Sequence, residues 1–196
     1  MYRYIEPLHD VDFLVSDMSG YRNLRQLLRN SSDLTPLLRQ SGELFPLAEP
    51  IRADQYGIRT RVTVAGQPIK FEIVLEGRIE LDAPGDEGTV CGVPVLTPLD
   101  MAASKLLANS DRWLDASVFC RDVIDLAMID IPLPVLRNAV RKAEGAYGKS
   151  VLADLDKAIV RLSEHKNLLD RCMHALSIEL PKAALWQRIR RLKQLL

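Results

Sequence analysis

The 196-residue chain has no apolar run approaching the roughly 20 residues that a membrane-spanning helix needs, and its opening stretch, "MYRYIEPLHD", lacks the apolar core of a secretory signal. Cysteine is scarce. Cys91, Cys120 and Cys172 form an odd, widely spaced set without a CxxC pair, which argues against a disulfide framework and against a thiolate zinc site. Net charge is also missing: 26 basic and 26 acidic side chains cancel, so no global field selects nucleic acid, a membrane or an acidic ligand, and any such preference must come from a local patch. Histidine is rare, and His9, His165 and His174 are too scattered for a metal site or for a Ser-His-Asp or Cys-His arrangement. These absences predict a soluble, cytoplasmic protein in a reducing compartment.

What is there is ordinary globular material, 47% apolar and 27% charged, enough for one domain or two small ones with a real core. The first half is mixed. A strand is expected over Asp12 to Val15, a helix over Tyr21 to Leu28, a polar break at "RNSSD", and strand material after it. "YGIRTRVTVAGQPIKFEIVLEG" alternates as a hairpin, with Ile58, Val62 and Val64 separated from Ile69, Phe71, Ile73 and Leu75 by the turn "AGQP". Pro84, Gly85, Gly88, Gly92 and Pro94 mark a loop-rich crossing, and no strand is expected after Thr97. Thr97, Pro98 and Asp100 nearly match a capping box ahead of the apolar "LDMAASKLLA". Further helices are expected over Ser117 to Ile129, Leu133 to Glu144, Ser150 to Glu164, Lys166 to Leu176 and Lys182 to Leu196, the last with Leu185, Ile189, Leu192 and Leu196 on one face. The fold class is α+β: a mixed sheet with flanking helices over residues 1–95, then a helical domain over 96–196, with a cleft between them.

The chemistry concentrates in a few acids. Asp10 and Asp12 stand at i and i+2 of a strand edge, so both carboxylates point to one face, as hard-oxygen ligands of magnesium do; the plain alternative is a solvated loop-to-strand junction. Glu72 interrupts an apolar strand and needs a partner there. That partner is either a metal or Lys70, two residues away on the same face.

In order, "DVDF", "KFE" on a later strand, and "LTPLDMAASKLLA" and "RDVIDLAM" on helices resemble the nucleotidyltransferase family that includes the AbiEii/AbiGii toxins and the MenT-type enzymes, over about Leu8 to Ile129. The resemblance implies a polymerase-β-like core in which a DxD pair and a third acid on an adjacent strand hold Mg2+ and the triphosphate of an NTP, whose α-phosphate an RNA (often tRNA) or protein acceptor attacks. It also implies a toxin with a cognate antitoxin. Asp10 and Asp12 match the DxD and, with Glu72, are the implied metal ligands. Lys70 and Glu72 match a lysine-x-acid motif. Lys105 matches a helix lysine that neutralises the triphosphate, and Arg121, Asp122 and Asp125 match an RDxxD segment in which Asp125 faces the site and Arg121 braces the helix. Catalysis is thus assigned to Asp10, Asp12, Glu72 and Lys105, and nucleotide binding to Lys70, Lys105, Arg121 and Asp125. The bland readings are a surface lysine for Lys105 and an i, i+4 ion pair for Arg121 and Asp125.

One feature departs from the family. Its core opens with a helix bearing a Gly-Gly or Gly-Ser pair that cradles the phosphates, whereas only Met1 to His9 precede Asp10 here and none is glycine. The chain is then expected either to start downstream of that helix or to be a degenerate, non-catalytic member acting as a binding or dimerisation module. Loss of the covering helix predicts apolar sheet surface, exposed or shared with a second subunit in a homodimer. Lys182, Arg188, Arg190, Arg191 and Lys193 form a basic run that either holds RNA phosphates or is the solvated face of an amphipathic helix, with Trp186 packed inward. Two other DxD classes do not fit. Haloacid-dehalogenase phosphatases place the acid after the apolar strand, the reverse of "DVDFLV", and metal-dependent glycosyltransferases need a larger nucleotide-sugar domain.

Overall fold

The structure, a computed structural model, describes residues 10–38, 46–83, 85, 88–90 and 93–196, so His9 and Cys91 lie outside the described residues. It is α+β, with one α-helix among the strands of the first half and only helices after β6. The chain divides into two compact units, one ending at Glu80 and the other running Leu81–Leu196.

The first unit is a four-stranded mixed sheet with one helix. Strands β1 (Asp10–Val15), β2 (Leu47–Ala53), β3 (Gly57–Val64) and β4 (Gln67–Leu75) are ordered β1-β4-β3-β2, with β1 parallel to β4 and the other pairs antiparallel. Helix α1 (Met18–Arg29) follows β1 directly, because Asp17 caps it by accepting from the Ser19 and Gly20 amides, the latter at 2.6 Å. Period-2 alternation gives the sheet two unlike faces. On one face, Tyr21 and Leu28 of α1 pack with Ile58 and Ile73, flanked by Phe13, Val15, Phe71 and Leu75. Tyr21 is buried yet satisfied, since its hydroxyl donates to the Asp54 carbonyl at 2.9 Å.

The hairpin forms as expected, but its turn is tighter than "AGQP". Only Ala65 and Gly66 lie outside the ladder, both with positive φ (49° and 78°), and Gln67 and Pro68 belong to β4, paired with Val64 and Thr63. Positive φ at both central residues is the two-residue hairpin geometry whose twist matches the strands. Pro68 is tolerated because the β1–β4 pairing begins only at Lys70, so its missing N–H breaks no ladder bond.

In the second unit, a short two-stranded ladder of β5 (Thr89–Val90) and β6 (Val93–Pro94) is followed only by helices. Helix α2 (Pro98–Arg112) packs against α3 (Arg121–Met128), α4 (Leu133–Tyr147) and α5 (Ser150–Glu164), burying Ala102, Ala103, Leu106 and Leu107. The N-cap expected at its start is present, although the reciprocal bond goes to the Thr97 hydroxyl in place of its amide: Thr97 Oγ1 accepts from the Asp100 amide, and the Asp100 carboxylate accepts from the Thr97 hydroxyl, both at 3.1 Å. Helix α3 starts later than the sequence pattern predicts because Phe119 and Cys120 both take left-handed backbone, φ 50° and 53°. Helix α4 runs past Glu144 until Gly148, at φ 64°, turns the chain. Helices α6 (Leu168–Ala175) and α7 (Lys182–Leu192) complete the unit; in α7, Leu185, Ile189 and Leu192 are buried as expected, while Leu196, beyond its end, is exposed. Two cysteines far apart in sequence meet here: Cys120 and Cys172 are free and buried, and hydrogen bonding from the Cys172 thiol holds the Cys120 pKa below the ordinary cysteine value. No helix among the described residues is long and apolar enough to cross a membrane.

Candidate active site

The sheet face turned away from α1 is charged, and strand register decides what meets there. Asp12 pairs with Glu72 on β4, and Glu72 pairs with Arg59 on β3; one step along, Asp10 pairs with Lys70 and Lys70 with Arg61. Two rows of charge therefore cross three strands on one face, Asp12–Glu72–Arg59 and Asp10–Lys70–Arg61. The apolar sheet surface expected from an uncovered face is absent: none of the exposed large apolar residues lies on β1, β3 or β4, because these alternate positions carry charges instead.

Glu72 is the most enclosed of the group, with 11% of its side chain exposed. Its Oε1 accepts from Arg59 Nε at 2.5 Å and its Oε2 from the Lys70 ammonium. Burial alone would raise its pKa, but the hydrogen bonds from Lys70 and Arg59 bring it below the ordinary glutamate value, so Glu72 is ionised at neutral pH. Lys70 also stands 4.0 Å from Asp12 Oδ1, and Arg59 reaches Asp54 Oδ2 at 3.1 Å. The intrastrand ion pair weighed for Glu72 is present, and Arg59 joins it. Asp10 and Asp12 supply hard oxygens on one face, chemistry that fits a divalent cation, whereas Glu72 is turned to its two cations. Among the described residues no three His, Cys, Asp or Glu side chains are gathered so as to hold a metal ion.

Lys105, Arg121 and Asp125 lie in the other unit. Lys105 Nζ bonds Asp125 Oδ2 at 2.5 Å, and Arg121 Nε stands 3.6 Å from the same oxygen across one turn of α3. Beside them, Arg112 grips Asp122 with two bonds of 2.7 Å, and Asp122 is almost wholly buried. Two cations of α2, seven residues apart and hence on one face, thus clamp two acids of α3. In the basic run of α7, Lys182 pairs with Asp170 at 2.6 Å and Arg191 donates to the Ile131 carbonyl at 3.2 Å, so part of its charge is spent within the fold. Trp186 there is half-buried.

Two participants escape the sequence reading. Arg59 was detectable from the hairpin alone, since a two-residue Ala65–Gly66 turn fixes which β3 residue opposes Glu72. Arg112 was detectable as the next basic residue on the Lys105 face of α2.

Residues 9–191 match the model of the family described as nucleotidyl transferase AbiEii toxin, type IV toxin–antitoxin system. The chain belongs to the AbiEii family. No curated protein and no solved structure matches it. The family match runs through both units, taking in the charged sheet face and the clamp of α2 on α3.

Proposed function

We propose that this AbiEii-family chain is a magnesium-dependent nucleotidyltransferase that moves a nucleoside monophosphate from an NTP to an RNA or protein acceptor, as the toxin of a toxin–antitoxin pair or a phage-defence system with a cognate antitoxin. The observation that carries the reading is the register that sets Asp10 and Asp12 on the same open sheet face as Glu72. In this role Asp10 and Asp12 hold the cation, and Glu72 completes the acidic set when one of its two cations turns away. Magnesium, when bound, offsets the triphosphate charge. Lys70 keeps Glu72 ionised and adds positive charge beside the phosphates, while Lys105, with Arg121 and Asp125, is assigned to nucleotide binding by the family resemblance. The acceptor oxygen attacks the α-phosphorus and pyrophosphate leaves, so the side chains act by positioning and by matching charge, without covalent catalysis.

Calorimetric titration of NTP into the 196-residue chain, with and without magnesium, tests this beside the double variant Asp10→Ala, Asp12→Ala. Binding that needs both magnesium and the two acids is the expected result, together with transfer of label from an α-labelled NTP. Absence of binding at millimolar NTP overturns it. A second reading, a non-catalytic binding module, draws support from Glu72, whose two carboxylate oxygens are already engaged by Arg59 and Lys70. Under that reading NTP binding is unaffected by magnesium or by either aspartate.

A further inference from the structure

The first unit carries a second feature that the acids do not explain. A groove of about 440 Å³ is lined by Arg25 and Arg29 of α1, by Ala53 at the end of β2 and by Asp54, Gln55 and Tyr56 of the turn between β2 and β3. Arg22, Arg25 and Arg29 recur at i, i+3 and i+7, which sets them along one side of α1. Among the described residues none of the three makes an ion pair or side-chain hydrogen bond, whereas most of the charged side chains on the sheet are paired. Their cationic groups are free to meet an anion from solvent.

The turn presents an aromatic ring beside them. Asp54 Oδ1 accepts from the Tyr56 amide at 2.7 Å and the Gly57 amide at 3.0 Å, an Asx turn that fixes the backbone while leaving Tyr56 67% exposed. A tyrosine so exposed gains nothing from the core. Asp54 is the one acid among the described residues that line the groove, and its charge is already used: backbone amides of Tyr56 and Gly57 hold its pKa below the ordinary aspartate value, and Oδ2 faces Arg59. The lining thus combines unpaired guanidinium groups, an exposed ring and the Gln55 amide, the set that grips phosphates, stacks on a base and hydrogen-bonds a base edge. An acidic peptide would use the arginines and leave Tyr56 idle, and duplex would offer no free base to the ring.

We propose that this groove docks a single-stranded nucleic acid, with Arg25 and Arg29 on successive phosphates and Tyr56 stacked on a base. The link to the acids is direct, for Asp54 holds Arg59 and Arg59 holds Glu72. Only the identification of that strand as the nucleotidyl acceptor rests on the transferase reading.

The test is fluorescence anisotropy of a short labelled oligouridylate on the full chain, without NTP or magnesium, across a salt series. Arg25→Gln with Arg29→Gln is expected to lower the slope of log affinity against log salt by about 1.4, for two single-strand phosphates released. Tyr56→Ala is expected to weaken binding roughly tenfold, while Tyr56→Phe, which keeps the ring, restores it. Arg137→Gln on α4, outside both the groove and the basic run, is expected to leave binding unchanged. Equal affinity for all variants, equal affinity for duplex, or displacement of the oligouridylate by oligoglutamate with no effect of Tyr56→Ala overturns the inference. Oligouridylate binding is read without nucleotide, so intact NTP binding beside absent oligonucleotide binding removes this inference alone, and the converse removes the transferase reading alone.

Discussion

Asp100 is fully enclosed, and it shows how a single carboxylate can tie a loop to two helices. It accepts from the Asp82 amide at 2.7 Å and from Lys142 of α4 at 2.5 Å, in addition to capping its own helix with Thr97. Removing such an acid leaves Lys142 without its buried partner, and breaking a buried pair on one side costs about 3 to 5 kcal/mol. Asp100→Ala is therefore expected to lose that much in urea unfolding. Asp100→Asn, which can still accept from the Asp82 amide, is expected to lose clearly less. Equal losses would mean that the lost charge opposite Lys142, not the acceptor for the Asp82 amide or the side-chain volume, sets the cost at this position.

Among the elements, the β3–β4 hairpin organises the candidate site, and its turn contains an avoidable cost. Ala65 sits at φ 49°, a conformation that penalises residues with a Cβ but suits asparagine. Ala65→Asn is expected to stabilise the chain by about 1 kcal/mol, read as a higher urea midpoint at unchanged slope; a lower midpoint would contradict the turn geometry. The same hairpin marks the limit of what the sequence reveals. Alternation shows both strands, and the order of acids and helix motifs leads to the family, because period and order are written locally. The break at Phe119–Cys120 is not legible, since nothing in "SVFCRD" announces two consecutive left-handed residues. Nor is the meeting of Lys105 with Asp125 or of Cys120 with Cys172, which depends on how helices pack. The partners of Glu72 were half legible: Lys70 is a neighbour in sequence, whereas Arg59 required the turn to be placed to the residue.

For the whole molecule, charge pairing ties stability to pH in one direction. Glu76 is buried and burial alone would raise its pKa, yet hydrogen bonds from Arg78 take it below the ordinary glutamate value, and Glu72 and Asp54 are lowered as well. Each folded-state pKa lies below its unfolded counterpart, so the stabilisation is complete above the unfolded values, about 4, and fades as pH falls through the lower folded ones. Thermal melting followed by circular dichroism is expected to show a stability plateau above about pH 5 and a steep fall below 4. Glu72→Gln with Glu76→Gln is expected to flatten that fall, and an unchanged acid limb would refute the assignment. Strand order also sets the sequence of assembly. The hairpin closes through a two-residue turn, whereas β1 must wait for the chain between residues 15 and 67 to be laid down before its parallel pairing with β4 can form. Local closure is thus expected to set Arg59 and Lys70 around Glu72 before Asp10 and Asp12 arrive, so that the aspartates dock onto a carboxylate already neutralised rather than against a bare one.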